Sequence, residues 1–141
     1  MTFLQKLALG IAGLTAFGIG SFILTAPQAF YASYGITLGS DASLLSELRA
    51  PAAGLAALGA VMLAGIQSPT LRPTSIVAAL IVFLGFPAGR ILGLLIDGLP
   101  SDGILAALVL ELAIAALCLF AFRRGTGHAA SSPMTHKTKR I

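Results

Sequence analysis

The sequence predicts an all-α fold, a four-helix bundle set in a membrane, and three observations carry that prediction. Apolar residues make up 57% of the 141-residue chain and charged residues only 10%. The mean hydropathy of +0.95 lies far above that of ordinary soluble domains. The apolar residues also fall into four runs separated by turn chemistry, each near the ~20 residues that cross a hydrocarbon core.

The runs cover residues 7–26, 50–66, 75–96 and 103–122. They are read as helices because backbone inside hydrocarbon must satisfy its own hydrogen bonds. Residues 67–74, Gln-Ser-Pro-Thr-Leu-Arg-Pro-Thr, break the chain between the second and third runs, and residues 97–102, Asp-Gly-Leu-Pro-Ser-Asp, between the third and fourth. The longest connection, residues 27–46, carries Phe30, Tyr31 and Tyr34. Their rings suit the water–lipid boundary. The first run resembles a secretory signal in that Lys6 precedes it, but its roughly twenty residues exceed the ~7–15 of a signal core, so a retained span is expected. Residues 1–124 then form one membrane domain, followed by a basic tail at 125–141 that is expected to be disordered and cytoplasmic.

Charge placement sets an expected orientation. With four spans, the N-terminus, the 67–74 loop and the tail share one side, and they hold Lys6, Arg72, Arg123, Arg124, Lys137, Lys139 and Arg140, seven of the nine basic residues. That side is expected to be cytoplasmic. The five acids, Asp41, Glu47, Asp97, Asp102 and Glu111, fall toward the opposite half with Arg49 and Arg90. The basic excess is therefore topological, with membrane lipids as the expected partners and no nucleic acid. His128 and His136 lack the spacing and company of a metal site, and no cofactor is expected. Cys118 is the single cysteine, so it cannot form an intrachain disulfide and is read as packing.

Arg90 stands inside an otherwise apolar run. At about 100° per residue, Arg90, Gly93 and Asp97 lie along one side of the third span, while Gly85, Gly89 and Gly93 form a small-residue stripe expected to admit a neighbouring backbone. Arg49, Ala53, Ala56, Ala60 and Ala64 are read as one face of the second span, and Glu111 with Ala107 and Ala115 as one face of the fourth. Arg90 is about 10 Å below Asp97, and Glu111 about 13 Å below Asp102, at helical rise. A lone charge at such depth costs at least ~2.5–3.5 kcal/mol, so a partner is expected: Glu111, Asp97 or both, with Arg49 and Glu47 near the mouth. Pro51 and Pro87 lack amide donors and clash with the carbonyls of Glu47 and Phe83, which favours kinks beside the arginines unless Pro51 belongs to a first helical turn.

These residues carry a resemblance. Ser46-Glu-Leu-Arg-Ala50, Gly89-Arg-Ile-Leu-Gly93 with Asp97-Gly-Leu-Pro-Ser101, and Leu110-Glu-Leu112 resemble the bacterial four-span proteins grouped as domain of unknown function 4345, near the DoxX-like group. The resemblance spans residues 3–124 and omits the tail. The chain departs from the pattern at Pro51-Ala-Ala-Gly54, where an aromatic and paired glycines are expected. It implies a bacterial inner-membrane helical bundle and brings no established activity.

Three functional classes follow. One is a non-enzymatic membrane protein whose outward-facing polar pocket binds a small amphiphilic or anionic ligand through Arg49 and Arg90, with Glu111, Glu47 and Asp97 balancing charge. Another is a proton- or ion-coupled carrier, or a membrane enzyme, that uses Glu111. The third is a structural bundle whose charges lock helices together. The sequence holds no recognisable triad, phosphate loop or haem ligand set, so no catalytic residue is assigned.

Overall fold

A computed structural model of the chain describes residues 1–123; the basic tail, with His128 and His136, lies outside them. Five helices follow in order: α1 Phe3–Thr25, α2 Pro27–Ala32, α3 Ala42–Gln67, α4 Arg72–Asp97 and α5 Asp102–Phe122. All but the short α2 are long and apolar enough to cross a membrane. The protein is an all-α, multi-pass membrane four-helix bundle.

Capping chemistry extends these helices beyond the apolar runs. α1 begins with a reciprocal box in which Thr2 accepts from the Gln5 amide while the Gln5 side chain accepts from the Thr2 amide. Gln5 also donates from Nε2 to the Ala121 carbonyl at 3.2 Å, fastening the start of α1 to the end of α5. α3 starts at Ala42 rather than at residue 50, because the Asp41 side chain accepts from the Leu44 amide at 2.7 Å and caps a polar first stretch outside the apolar run. Pro51 consequently lies in the interior of α3 and is no first-turn proline; Pro87 is likewise interior to α4. α4 ends at Gly98, whose φ of 93° is a backbone conformation that glycine adopts without a side-chain clash.

The four long helices form a ring in which α1 packs on α3, α3 on α4, α4 on α5 and α5 on α1, with α1 and α4 also touching. Lipid tails are as apolar as leucine, so close van der Waals approach and hydrogen bonds must hold such helices together. The α1–α3 seam supplies the close approach. A Cβ added at Gly20 would sit 2.5 Å from the Ala56 amide nitrogen, one at Gly59 would meet the Phe17 backbone, and one at Gly13 would lie 3.1 Å from the Gly59 carbonyl. At the α3–α4 seam a Cβ on Gly65 would collide with Ser75, whose hydroxyl lies 2.7 Å from the Val61 carbonyl and 2.8 Å from that of Leu71.

The glycine stripe of α4 does not play the part expected of it. Added Cβ atoms at Gly85 and Gly89 would meet open space, and one at Gly93 would approach only Asp97 of its own helix. The buried face of α4 consists of Ser75, Ala78, Ala79, Val82, Phe83 and Pro87. Gly85 and Gly89 each follow a member of that face by two residues, about 200° around the helix, and so point away. The expected face of α3 is also displaced: Ala52, Leu55, Ala56, Gly59, Met62 and Gly65 are buried, while Ala53, Ala60 and Ala64 are exposed. Large apolar side chains cover the outside, among them Ile81, Leu92, Ile96, Val109 and Phe120. Hydrocarbon is the solvent that such a surface requires.

Candidate functional site

One end of the bundle gathers the C-termini of α1 and α4, the N-termini of α3 and α5, and α2. Phe30 is its aromatic centre, meeting Phe22, Tyr31 and Tyr34 edge-to-face at centroid distances of 5.5, 5.3 and 5.2 Å. Ser101 donates to the Tyr34 carbonyl at 2.9 Å, tying this cluster to the start of α5. The aromatic connection is thus tied to the ends of α1 and α5.

Arg90 and Glu111 are brought together across the α4–α5 seam. The Arg90 Nε–H is shared between the two Glu111 carboxylate oxygens, at 3.1 Å to Oε1 and 2.9 Å to Oε2. The burial of the two is unequal: the Glu111 side chain is 12% exposed and that of Arg90 30%. Glu111 lies on the buried face of α5 with Ile114, Ala115, Cys118 and Ala121. Arg90 follows buried Pro87 by three residues, which puts it on the inward side of α4. The expectation of a partner for Arg90 is met by Glu111.

Only Nε is committed. The terminal nitrogens of Arg90 have no hydrogen-bond partner among the described residues, and Arg90 lines a cavity of about 300 Å³ between the end of α4, the 98–101 turn and the first turns of α5. Its walls include Leu94, Leu99, Ile104, Leu105 and Leu108. Asp97 lines the same cavity, and its carboxylate lies 3.9 Å from where a Gly93 Cβ would stand, turned back along the helix toward Arg90. The two form no ion pair within 4 Å. The space therefore has a cationic donor group, a carboxylate and apolar walls.

Arg49 and Glu47 stand elsewhere. Arg49 donates from Nε to the Leu24 carbonyl at 3.1 Å, in the last turn of α1, where helix carbonyls lack partners within the helix and a cation is favoured. It lines a separate groove that shares no residue with the Arg90 cavity. Glu47 is exposed and lines neither space. Sequence reasoning grouped these two with Arg90 because all lie toward the same end of their spans. The arrangement of helices around the ring separates them.

The fold and this partly buried pair define a class: multi-pass helical membrane proteins with an Arg–Glu bridge between helices and an apolar-walled cavity that holds charged groups at one end. The chain belongs to the family described as Domain of unknown function (DUF4345), which it matches over residues 4–122. No curated protein and no solved structure shows significant similarity to it.

Proposed function

We propose that this is an inner-membrane protein that binds a small amphiphile in the cavity between α4 and α5, with an anionic group of the ligand on Arg90. The observation that carries this reading is the half-committed guanidinium: Nε is held by Glu111 while the terminal nitrogens have no partner among the described residues and lie beside an apolar-walled space. Its volume of about 300 Å³ is that of a small-ligand pocket. Glu111 orients Arg90, and Asp97 offers a site for a cationic or hydroxyl group near the mouth. The positive-inside rule supports N- and C-termini in the cytoplasm and a cavity facing outward.

Mass spectrometry of molecules that co-purify with the parent and with Arg90→Ala tests the reading. A specific molecule present in the parent and lost with Arg90 supports it; identical molecules in both samples remove it. Because Arg90→Ala leaves Glu111 buried without its partner, Arg90→Ala/Glu111→Gln serves as the better-folded comparison.

A proton- or ion-coupled carrier, or a membrane enzyme acting through Glu111, is the second reading. It is favoured by the burial of that carboxylate inside a spanning helix. Proteoliposomes with an imposed pH gradient test it: gradient-driven flux that disappears in Glu111→Gln supports coupling, whereas equal leak in both variants excludes it.

A further inference from the structure

A second groove, separate from the Arg90 cavity, lies at Arg49. It opens where α1 ends and α3 begins, has a volume of about 510 Å³, and is lined by Leu24, Ser40, Leu45, Ser46, Arg49 and Ala53, among others. Three donor-bearing side chains line it: Arg49, Ser40 and Ser46. Arg49 is fixed by its Nε bond to the Leu24 carbonyl, and its terminal nitrogens have no partner among the described residues. The Ser40 and Ser46 hydroxyls likewise make no hydrogen bond with described residues. No carboxylate lines the groove, and Asp41, which borders it in sequence, uses Oδ1 to cap the Leu44 amide.

We infer that this groove binds the phosphate of a glycerophospholipid, with Arg49, Ser40 and Ser46 as donors. A guanidinium fixed in place, with two hydroxyls on the same groove, suits a tetrahedral anion with several acceptor oxygens. The rest of the lining decides between a free phosphate and a lipid. Leu45, Arg49 and Ala53 follow one another at four-residue intervals along α3, so the groove runs down the helix from its polar end past a small side chain. Ala53 is about 16 Å further along the helix than Ala42, within reach of the hydrocarbon. An acyl chain can follow this path while the phosphate remains at the boundary. The site does not depend on the Arg90 cavity, with which it shares no residue.

The test is native mass spectrometry of the full chain in detergent, titrated with dioleoylphosphatidylglycerol. The first lipid adduct should weaken about tenfold in Arg49→Ala, as expected for loss of a charge-assisted phosphate contact, and about threefold in Ser40→Ala/Ser46→Ala, while Glu47→Gln, at an exposed residue that lines neither space, leaves this ranking of Arg49 and the serines intact. The serine variant removes exposed hydroxyls that bond to nothing described in the fold, so it remains informative if Arg49→Ala fails to fold. Dioleoylglycerol, which lacks the phosphate, should not compete. Parent-like binding by either variant, or equal binding of dioleoylglycerol, overturns the site. Displacement of the lipid by millimolar inorganic phosphate overturns the lipid assignment and identifies free phosphate as the occupant.

Discussion

Arg90 on α4 shares its Nε–H between both carboxylate oxygens of Glu111 on α5, so one side-chain group bridges two helices whose backbones have no ladder between them. The pair is asymmetric: Glu111 belongs to the core, whereas Arg90 reaches it from the wall of a cavity. Such a bridge contributes little net stability when whole and costs much when halved, because the abandoned charge keeps its burial penalty.

That asymmetry makes a double-mutant cycle decisive. Arg90→Ala should destabilise the bundle, by less than the ~3–5 kcal/mol of a fully buried pair because Arg90 is partly exposed, and adding Glu111→Gln should recover much of the loss. Thermal melts in detergent of the parent, both single variants and the double variant measure the coupling. Additive single effects would show that the two residues do not depend on each other.

The tight α1–α3 seam predicts where glycine is required. Gly59→Leu and Gly20→Leu should sharply reduce the folded fraction, since each new side chain meets backbone of the facing helix. Gly89→Leu, which enters open space, should be tolerated. Monodisperse yield by size-exclusion chromatography ranks the three; a Gly89→Leu loss as large as the other two would place α4 in a different rotation.

Ser75 offers a smaller, separable effect at the α3–α4 seam. Ser75→Ala removes the hydroxyl shared by the Val61 and Leu71 carbonyls and should cost about 0.6 kcal/mol, the average for an interhelical hydrogen bond in a membrane. Gly65→Ala should cost more, because its methyl group would overlap Ser75. Melting temperatures in one detergent give both values, and the reverse order would contradict the packing.

Orientation is tested by reporter fusions. Fusions at Thr70 and after Arg124 should report as internal, and those near Ser40 and Asp102 as external, because seven of nine basic residues lie on the first side. The opposite pattern would turn the Arg90 cavity toward the cytoplasm.

Much of this molecule is written locally. Four apolar runs of spanning length demand helices because hydrocarbon offers the backbone no partners, and Pro, Gly and Ser between them mark the breaks. The need for a partner at Arg90 was legible too, since a buried charge is costly, but the sequence left Glu111, Asp97 or both as that partner and the structure selects Glu111. The capping signals at Thr2 and Gln5, and at Asp41, were also present in the sequence, and they explain why α1 and α3 begin before their apolar runs.

The rotation of each helix about its axis was not legible. In a soluble bundle the apolar stripe points inward and fixes that rotation, but in a membrane both faces are apolar and the signal is lost. The stripe of Gly85, Gly89 and Gly93 is more regular than Gly13, Ala16 and Gly20, yet the latter face Ala52, Ala56 and Gly59 across a real seam while Gly85 and Gly89 face outward and Gly93 lines the Arg90 cavity. Arg49 and Arg90 likewise lie toward the same end of their spans but not in one site. The sequence by itself determined the helices, their spans and the cost of a buried charge; only the tertiary structure decided which faces meet, because that depends on how closely backbones on different helices can approach.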